Sequence, residues 1–371
     1  MSRTRASGPA ATVALTLALT LAACSDDAAN EPSDAVATAD AADTVDVVDD
    51  GDELRTVEVV DGLVSPWGLV QLADGAVLVG ERDTARILRV DGRAAVPLAT
   101  LPDVSAGGEA GLLGLATTPE QDRVLAYYST EDDNRIVAMT WDGEALGEPE
   151  LLVSGIPGGA GYHQGGRLLL GPDDLLYVST GDNGSPDSAQ DPDALSGKIL
   201  RFTTDGEPAP GNPFDSAVYS LGHRNIEGLA FDDRGRLWAS EFGQDTWDEL
   251  NLVEAGGNYG WPAIEGSGGG DDYLDPAVVW RTEDASPAGL AFWDGSLWMA
   301  ALRGRTLWEV PLSAGSAGGV GEPVAHLQGQ LGRLRTVATT LDGDGLLLTT
   351  SNTDGRGDPA DGDDRLLRLG R

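Results

Sequence analysis

From Leu54 to the C-terminus, short apolar runs and polar breaks follow one another in a phrase that returns six times. The phrase is a small apolar segment, an Asp/Gly turn, a strand-like run, a polar loop, and a further strand carrying Ile or Leu with Arg. It opens at Pro66 (PWGLVQLADGAVLVGERDTARILRVDG), Gly111, Gly165, Glu227, Ala288 and Arg335. Apolar runs this short, bounded by turn residues and rich in β-branched and aromatic side chains, suit strands and not helices. A unit of about 45–60 residues recurring in this way predicts an all-β fold, a six-bladed β-propeller of four-stranded antiparallel blades. A sandwich has no reason to keep the phrase. The strand-like RTVEVV from Arg55 precedes the first repeat, and RLLRL from Arg365 ends the last. Their pairing is expected to complete the sixth blade and remove an exposed edge.

The pattern is different ahead of the repeats. Residues 1–24 carry Arg3 and Arg5, an apolar run from Ala10 to Leu19, and the ending Leu21-Ala22-Ala23-Cys24. This reads as a secretory signal peptide, too short to span a membrane as a helix. Its ending resembles a bacterial lipobox, which implies cleavage before Cys24 and lipid on its sulfur. Residues 25–53 lack aromatic side chains and read as a disordered acidic linker, leaving 54–371 for the propeller. The expectation is an exported lipoprotein of the cell envelope, held at the outer side of the cytoplasmic membrane through the anchor alone.

Composition sharpens this picture. The chain has 371 residues, with 51 glycines and nine tryptophans, as many tight turns between short aromatic-bearing strands require. Its formal net charge of -37 argues against nucleic acid or anionic lipid as a partner of the surface. The single cysteine is Cys24, so no intramolecular disulfide is possible.

Candidate chemistry centres on YHQGGRLLLGPDDLLYVSTGDNG, Tyr162 to Gly184. Two strands joined by a turn at Pro172 to Asp174 return the chain, so His163 and Asp182 are expected to meet at one rim. A carboxylate beside an imidazole fixes its tautomer, as a general base needs. In GHRNIEG, Arg224 and Asn225 offer a guanidinium fork and an amide. Arg333 and Arg335 share one side of a strand entry by the period of two, and Arg303 lies in a loop of the fifth repeat. Gly243 and Gln244 begin a loop with Asp248 and Glu249 at its far end, a candidate for a hard cation held by carbonyls.

The segments HQGGRL, GHRN, DELNLVEAGGNYGWP and GRLR, with GGEAGLLGL upstream, resemble the soluble glucose/sorbosone and aldose sugar dehydrogenases that depend on pyrroloquinoline quinone (PQQ). The resemblance runs from about Thr56 to the C-terminus and keeps the family's motif order. It implies oxidation of an aldose at its anomeric carbon to a lactone, with hydride passing to PQQ. By similarity His163 would be the base and Asp182 its orienting partner, with Arg224 and Asn225 contacting quinone oxygens and substrate. Arg333 and Arg335 would hold the cofactor's carboxylates, with Arg303 where the family often has lysine. The carbonyls of Gly243 and Gln244 would bind calcium, and Glu109, Tyr162 and Asp187 would face the sugar. The electron acceptor, a cytochrome, a quinone or a dye in vitro, stays open. Tyr162, Phe242, Gln244 and Arg303 depart from common family residues. Two other readings compete: a calcium-dependent lactonase, which needs carboxylates and an asparagine around a channel metal, and a non-catalytic propeller using Trp247, Trp261 and Trp293 as platforms.

Overall fold

A computed structural model describes residues 54–159, 161–313 and 319–371. The signal peptide, Cys24 and the linker lie outside the described residues. Among those described, strands form six four-stranded sheets in which successive strands are antiparallel, and the one helical element is a 3-10 turn, Pro186–Gln190. The first strands of the sheets are Pro66–Gln71, Leu112–Thr117, Leu168–Leu170, Ile226–Phe231, Pro287–Trp293 and Leu334–Thr339. Each touches its counterparts in the neighbouring sheets, so these six surround the axis of a β-propeller. We number the blades one to six in that order.

Buried side chains fall into six clusters, one at each interface between blades. The clusters follow from alternation: each strand sends one set of side chains to the blade before it and the other to the blade after. Trp238 and Trp298 are fully buried, and removing either ring should cost about 3–5 kcal/mol. The tryptophans of the repeats are mainly packing residues.

The inner strands come unusually close. A Cβ on Gly68 would lie 2.5 Å from the Leu113 carbonyl of blade two, and one on Gly289 would lie 2.8 Å from Thr336 Cα and Val337 N of blade six. Gly114 and Gly228 stand at the same strand position and are equally crowded by the next blade. Glycine in "WGL", "LGL", "EGL" and "AGL" is therefore the condition for six strands to fit around one axis.

The ring closes as the pattern predicts. Arg55–Val60 pairs antiparallel with Leu366–Gly370, Arg55 opposite Gly370, and becomes the outer strand of blade six.

Candidate active site

Loops at the N-terminal ends of the inner strands build the site. His163 sits in the left-handed region (φ 54°), followed by Gly165 and Gly166 at φ 61° and 96°. A Cβ on Gly165 would lie 2.6 Å from Thr180 Cα, and one on Gly181 would strike the His163 carbonyl. The two loops are thus pressed together, and the short hairpin between them does the rest. His163 Nδ1 lies 2.7 Å from Asp182 Oδ1.

Asp182 is buried and held on every side. Gly184 N–H donates to Oδ1 at 2.9 Å, and Trp261 Nε1–H donates to Oδ2 at 2.9 Å. Burial pushes its pKa up, but the hydrogen bonds from His163, Gly184 and Trp261 outweigh that and leave it lowered. An ionised Asp182 can only accept, so Nδ1 carries the proton and Nε2 presents its lone pair. Among the described residues Nε2 has no hydrogen-bond partner.

The cavity beside His163 measures about 200 Å³ and is bordered by Glu109, Arg224, Asn225, Gly243, Gln244 and Arg303, among others. Glu109 Oε2 accepts the His163 backbone N–H at 2.6 Å, and its Oε1 pairs with Arg356 at 3.3 Å. Arg224 is fixed through its backbone: its N–H donates to Glu241 Oε1 at 2.5 Å, while Glu241 Oε2 pairs with buried His223 at 2.8 Å. Its guanidinium donates to the Phe242 carbonyl at 3.3 Å and stacks over Trp261 at 5.4 Å. Burial lowers its pKa, and its Nε is a buried donor without a partner. Asn225 Oδ1 accepts from Gly165 N–H at 2.9 Å, so this amide supports the histidine loop.

A further cavity of about 140 Å³ adjoins through Arg303, with Arg333 and Arg356 on its walls. Arg333 is paired with Asp354 at 3.0 Å. Arg335 departs from the expected rim position. It is 3% exposed, lies beneath Arg333, and donates to Glu227 Oε2 at 2.7 Å. Burial lowers its pKa, and its Nε also lacks a partner. The period of two put both arginines on one side correctly, and they share Asp354, but Arg335 is part of the interior.

The Gly243–Gln244 loop is tied down by its amides. Gly243 N–H donates to Asp248 Oδ1 at 2.9 Å, and one oxygen of Glu265 accepts from Gln244, Asp245, Thr246 and Trp247. No hydrogen bond between described residues claims the Gly243 or Gln244 carbonyl. Asp248, whose other oxygen accepts from Ser286 N–H at 2.6 Å, is pushed up to about 6 by burial. Among the described residues no group of three or more acidic, His or Cys side chains could hold a metal. A cation here would rest on carbonyls, which a lactonase-type cluster of carboxylates would not.

Two expected residues stand apart. Tyr162 is 46% exposed, its ring edge-on to His163 at 4.9 Å, and does not border the cavity. Asp187 is exposed on the 3-10 turn and is not brought to the others. That turn faces solvent while its buried Ala189 packs inward. The platform role fares no better for Trp261 and Trp293, both buried. Trp261 proves instead to be the second side-chain partner of Asp182. No local signal links them, since they are 79 positions apart.

The donor set suits a ligand rich in carboxylate and carbonyl oxygens. Arg303 and Arg333 border open space, and the orphaned Nε of Arg224, which borders the cavity beside His163, is unmet demand for such an oxygen.

A family model described as Glucose / Sorbosone dehydrogenase matches residues 63–367. The chain is 33% identical over 250 residues to quinoprotein glucose dehydrogenase B of Acinetobacter calcoaceticus, covering 56% of this chain and 52% of that protein. It is 33% identical over 233 residues to an aldose sugar dehydrogenase of Escherichia coli, covering 56% and 61%. These two alignments span about half to three-fifths of the curated relatives. The solved PQQ-bound form of an aldose sugar dehydrogenase from Streptomyces coelicolor superposes with a TM-score of 0.81 and 52% identity, over 86% of this chain and 98% of that one.

Proposed function

Because the chain belongs to the glucose/sorbosone dehydrogenase family, we propose that it oxidises aldose sugars at the anomeric carbon, using PQQ and calcium. One observation carries the reading: His163 Nδ1 is committed to an ionised Asp182, leaving Nε2 free at a cavity edged by arginines. Nε2 takes the proton of the anomeric hydroxyl, and Asp182 steadies the imidazolium that results. Glu109, on the same cavity, is placed to accept a hydrogen bond from the sugar. Arg303 and Arg333 hold carboxylates of the cofactor, with Arg224 reaching its ring oxygens. The Gly243 and Gln244 carbonyls hold the cation. When bound, the quinone supplies the hydride acceptor, and calcium acts as the Lewis acid that polarises it. Asn225, Trp261 and Glu241 keep the three functional loops in register.

Reconstitution tests this. Purified protein should reduce a dye in the presence of an aldose only after PQQ and calcium are both added, and a chelator should remove the activity. Turnover with NAD or flavin in place of PQQ would overturn the reading. Arg333→Ala should weaken PQQ binding by about 1.5–3 kcal/mol, read by calorimetry. We further propose that Cys24 carries a lipid anchor; a Cys24→Ala chain released from the membrane fraction supports this, and one retained there refutes it.

A further inference from the structure

A cavity larger than the one beside His163 lies elsewhere in the propeller. The candidate site lies at the N-terminal ends of the inner strands. At their C-terminal ends a bowl of about 440 Å³ opens on the opposite face, lined by the part-exposed Leu169, Leu170, Phe231, Phe292 and Ala338. Its size falls in the range of small-molecule sites. The exposed lining is more apolar than polar, and the floor is charged.

The floor is Arg167, 8% exposed, from the HQGGRL motif. It occupies the strand position where blades one, two, four and five carry Gly68, Gly114, Gly228 and Gly289, and where blade six carries Thr336. Its guanidinium reaches from blade three to residues of blades one, four and six. Nε donates to the Glu227 carbonyl at 3.0 Å and Nη2 to Thr336 Oγ1 at 3.2 Å, with Cζ 4.1 Å from the Trp67 ring centroid. Nη1 has no hydrogen-bond partner among the described residues. The Glu227 carboxylate does not supply one, since it is taken by Arg335 Nη1 at 2.7 Å and Asn225 Nδ2 at 3.1 Å. The ion pair of Glu227 is therefore with Arg335, and of Glu227 Arg167 has only the backbone carbonyl. Burial pulls Arg167 down to about 10, which still leaves it charged at neutral pH.

A buried cation with an open donor at the bottom of a mainly apolar bowl matches one kind of ligand. We propose that the bowl binds a carboxylate with an apolar tail, of medium-chain length, its head on Arg167 Nη1 and its tail along the leucine and phenylalanine walls. The proposal concerns the face opposite His163 and does not rest on the dehydrogenase reading.

Calorimetry on the purified full chain, with sodium octanoate as probe and 1-octanol as its uncharged counterpart, tests it. Octanoate should bind with a sub-millimolar Kd, and octanol about tenfold or more weaker. Ala338→Phe, which fills the bowl without touching Arg167, should weaken octanoate about tenfold or more. Arg167→Met should bring octanoate down to the level of octanol. If that variant does not fold, the octanoate/octanol comparison and Ala338→Phe decide. No octanoate binding up to about 10 mM, equal affinity for the two probes, or parental affinity in Ala338→Phe would each overturn the proposal.

Discussion

His163 is held by its backbone as firmly as by its ring: a left-handed φ, two following glycines, and an N–H bonded to Glu109 leave it little freedom. With the position so fixed, His163→Gln should keep PQQ and calcium bound while lowering turnover by about two to four orders of magnitude. Stopped-flow reduction of the bound cofactor would check that the loss lies in the chemical step. Asp182 adds a pH dependence. Its native pKa lies below the ordinary carboxylate value, so its contribution to stability is in place above about pH 4 and fades as pH falls through the native value. Asp182→Asn should therefore be less stable than the parent near neutrality, and the gap should narrow in acid. Thermal melts at a series of pH values would show it. This pair was legible in the sequence because a short hairpin separates its members. Trp261 and Glu227 were not, because their partners Asp182 and Arg335 lie 79 and 108 positions away and meet only when the ring forms.

Among the elements, the inner strands and the third strand of blade four, Trp247–Val253, carry sharp consequences. A Cβ at Gly289 meets backbone of blade six, which cannot swing aside as a side chain would. Gly289→Ala should cost about 1–3 kcal/mol or more, read from denaturant midpoints, where an alanine at an exposed turn would cost far less. Glu249 in Trp247–Val253 is 8% exposed, and burial together with neighbouring Glu241 pushes it up to about 8. Its native pKa is above the unfolded value, so the contribution of its neutral form is complete below about pH 4.5 and is lost as pH rises through about 8. With a chelator present, the parent should lose stability relative to Glu249→Gln across that window, by up to about 1.4 kcal/mol per pH unit. Equal slopes for the two proteins would contradict this. The strands themselves were readable because apolar runs recur at a fixed period. The depth of Arg335 was not, because the period of two sets a side chain's direction and says nothing of which layer of the axis it occupies.

On the scale of the whole molecule, one pairing makes the ring. Arg55–Val60 buries Val60 on the last strand, and Leu54 joins the cluster between blades five and six. A chain beginning at Gly62 would lose that burial, about 3 kcal/mol or more, and would expose Leu366–Gly370 as a bare edge. It should melt lower and associate in sedimentation experiments. The same pairing also orders events in time. Arg55–Val60 is the first strand of the ring to leave the ribosome, and Leu366–Gly370 is the last. The Arg356–Glu109 ion pair, which joins blade six to the loop before blade two across the site, waits on the same moment. Every earlier blade can stack as it is made, but the site has all its walls only once blade six has been made. Ligand binding is then a readout of a closed ring, and a copy truncated before blade six is excluded from it by geometry alone.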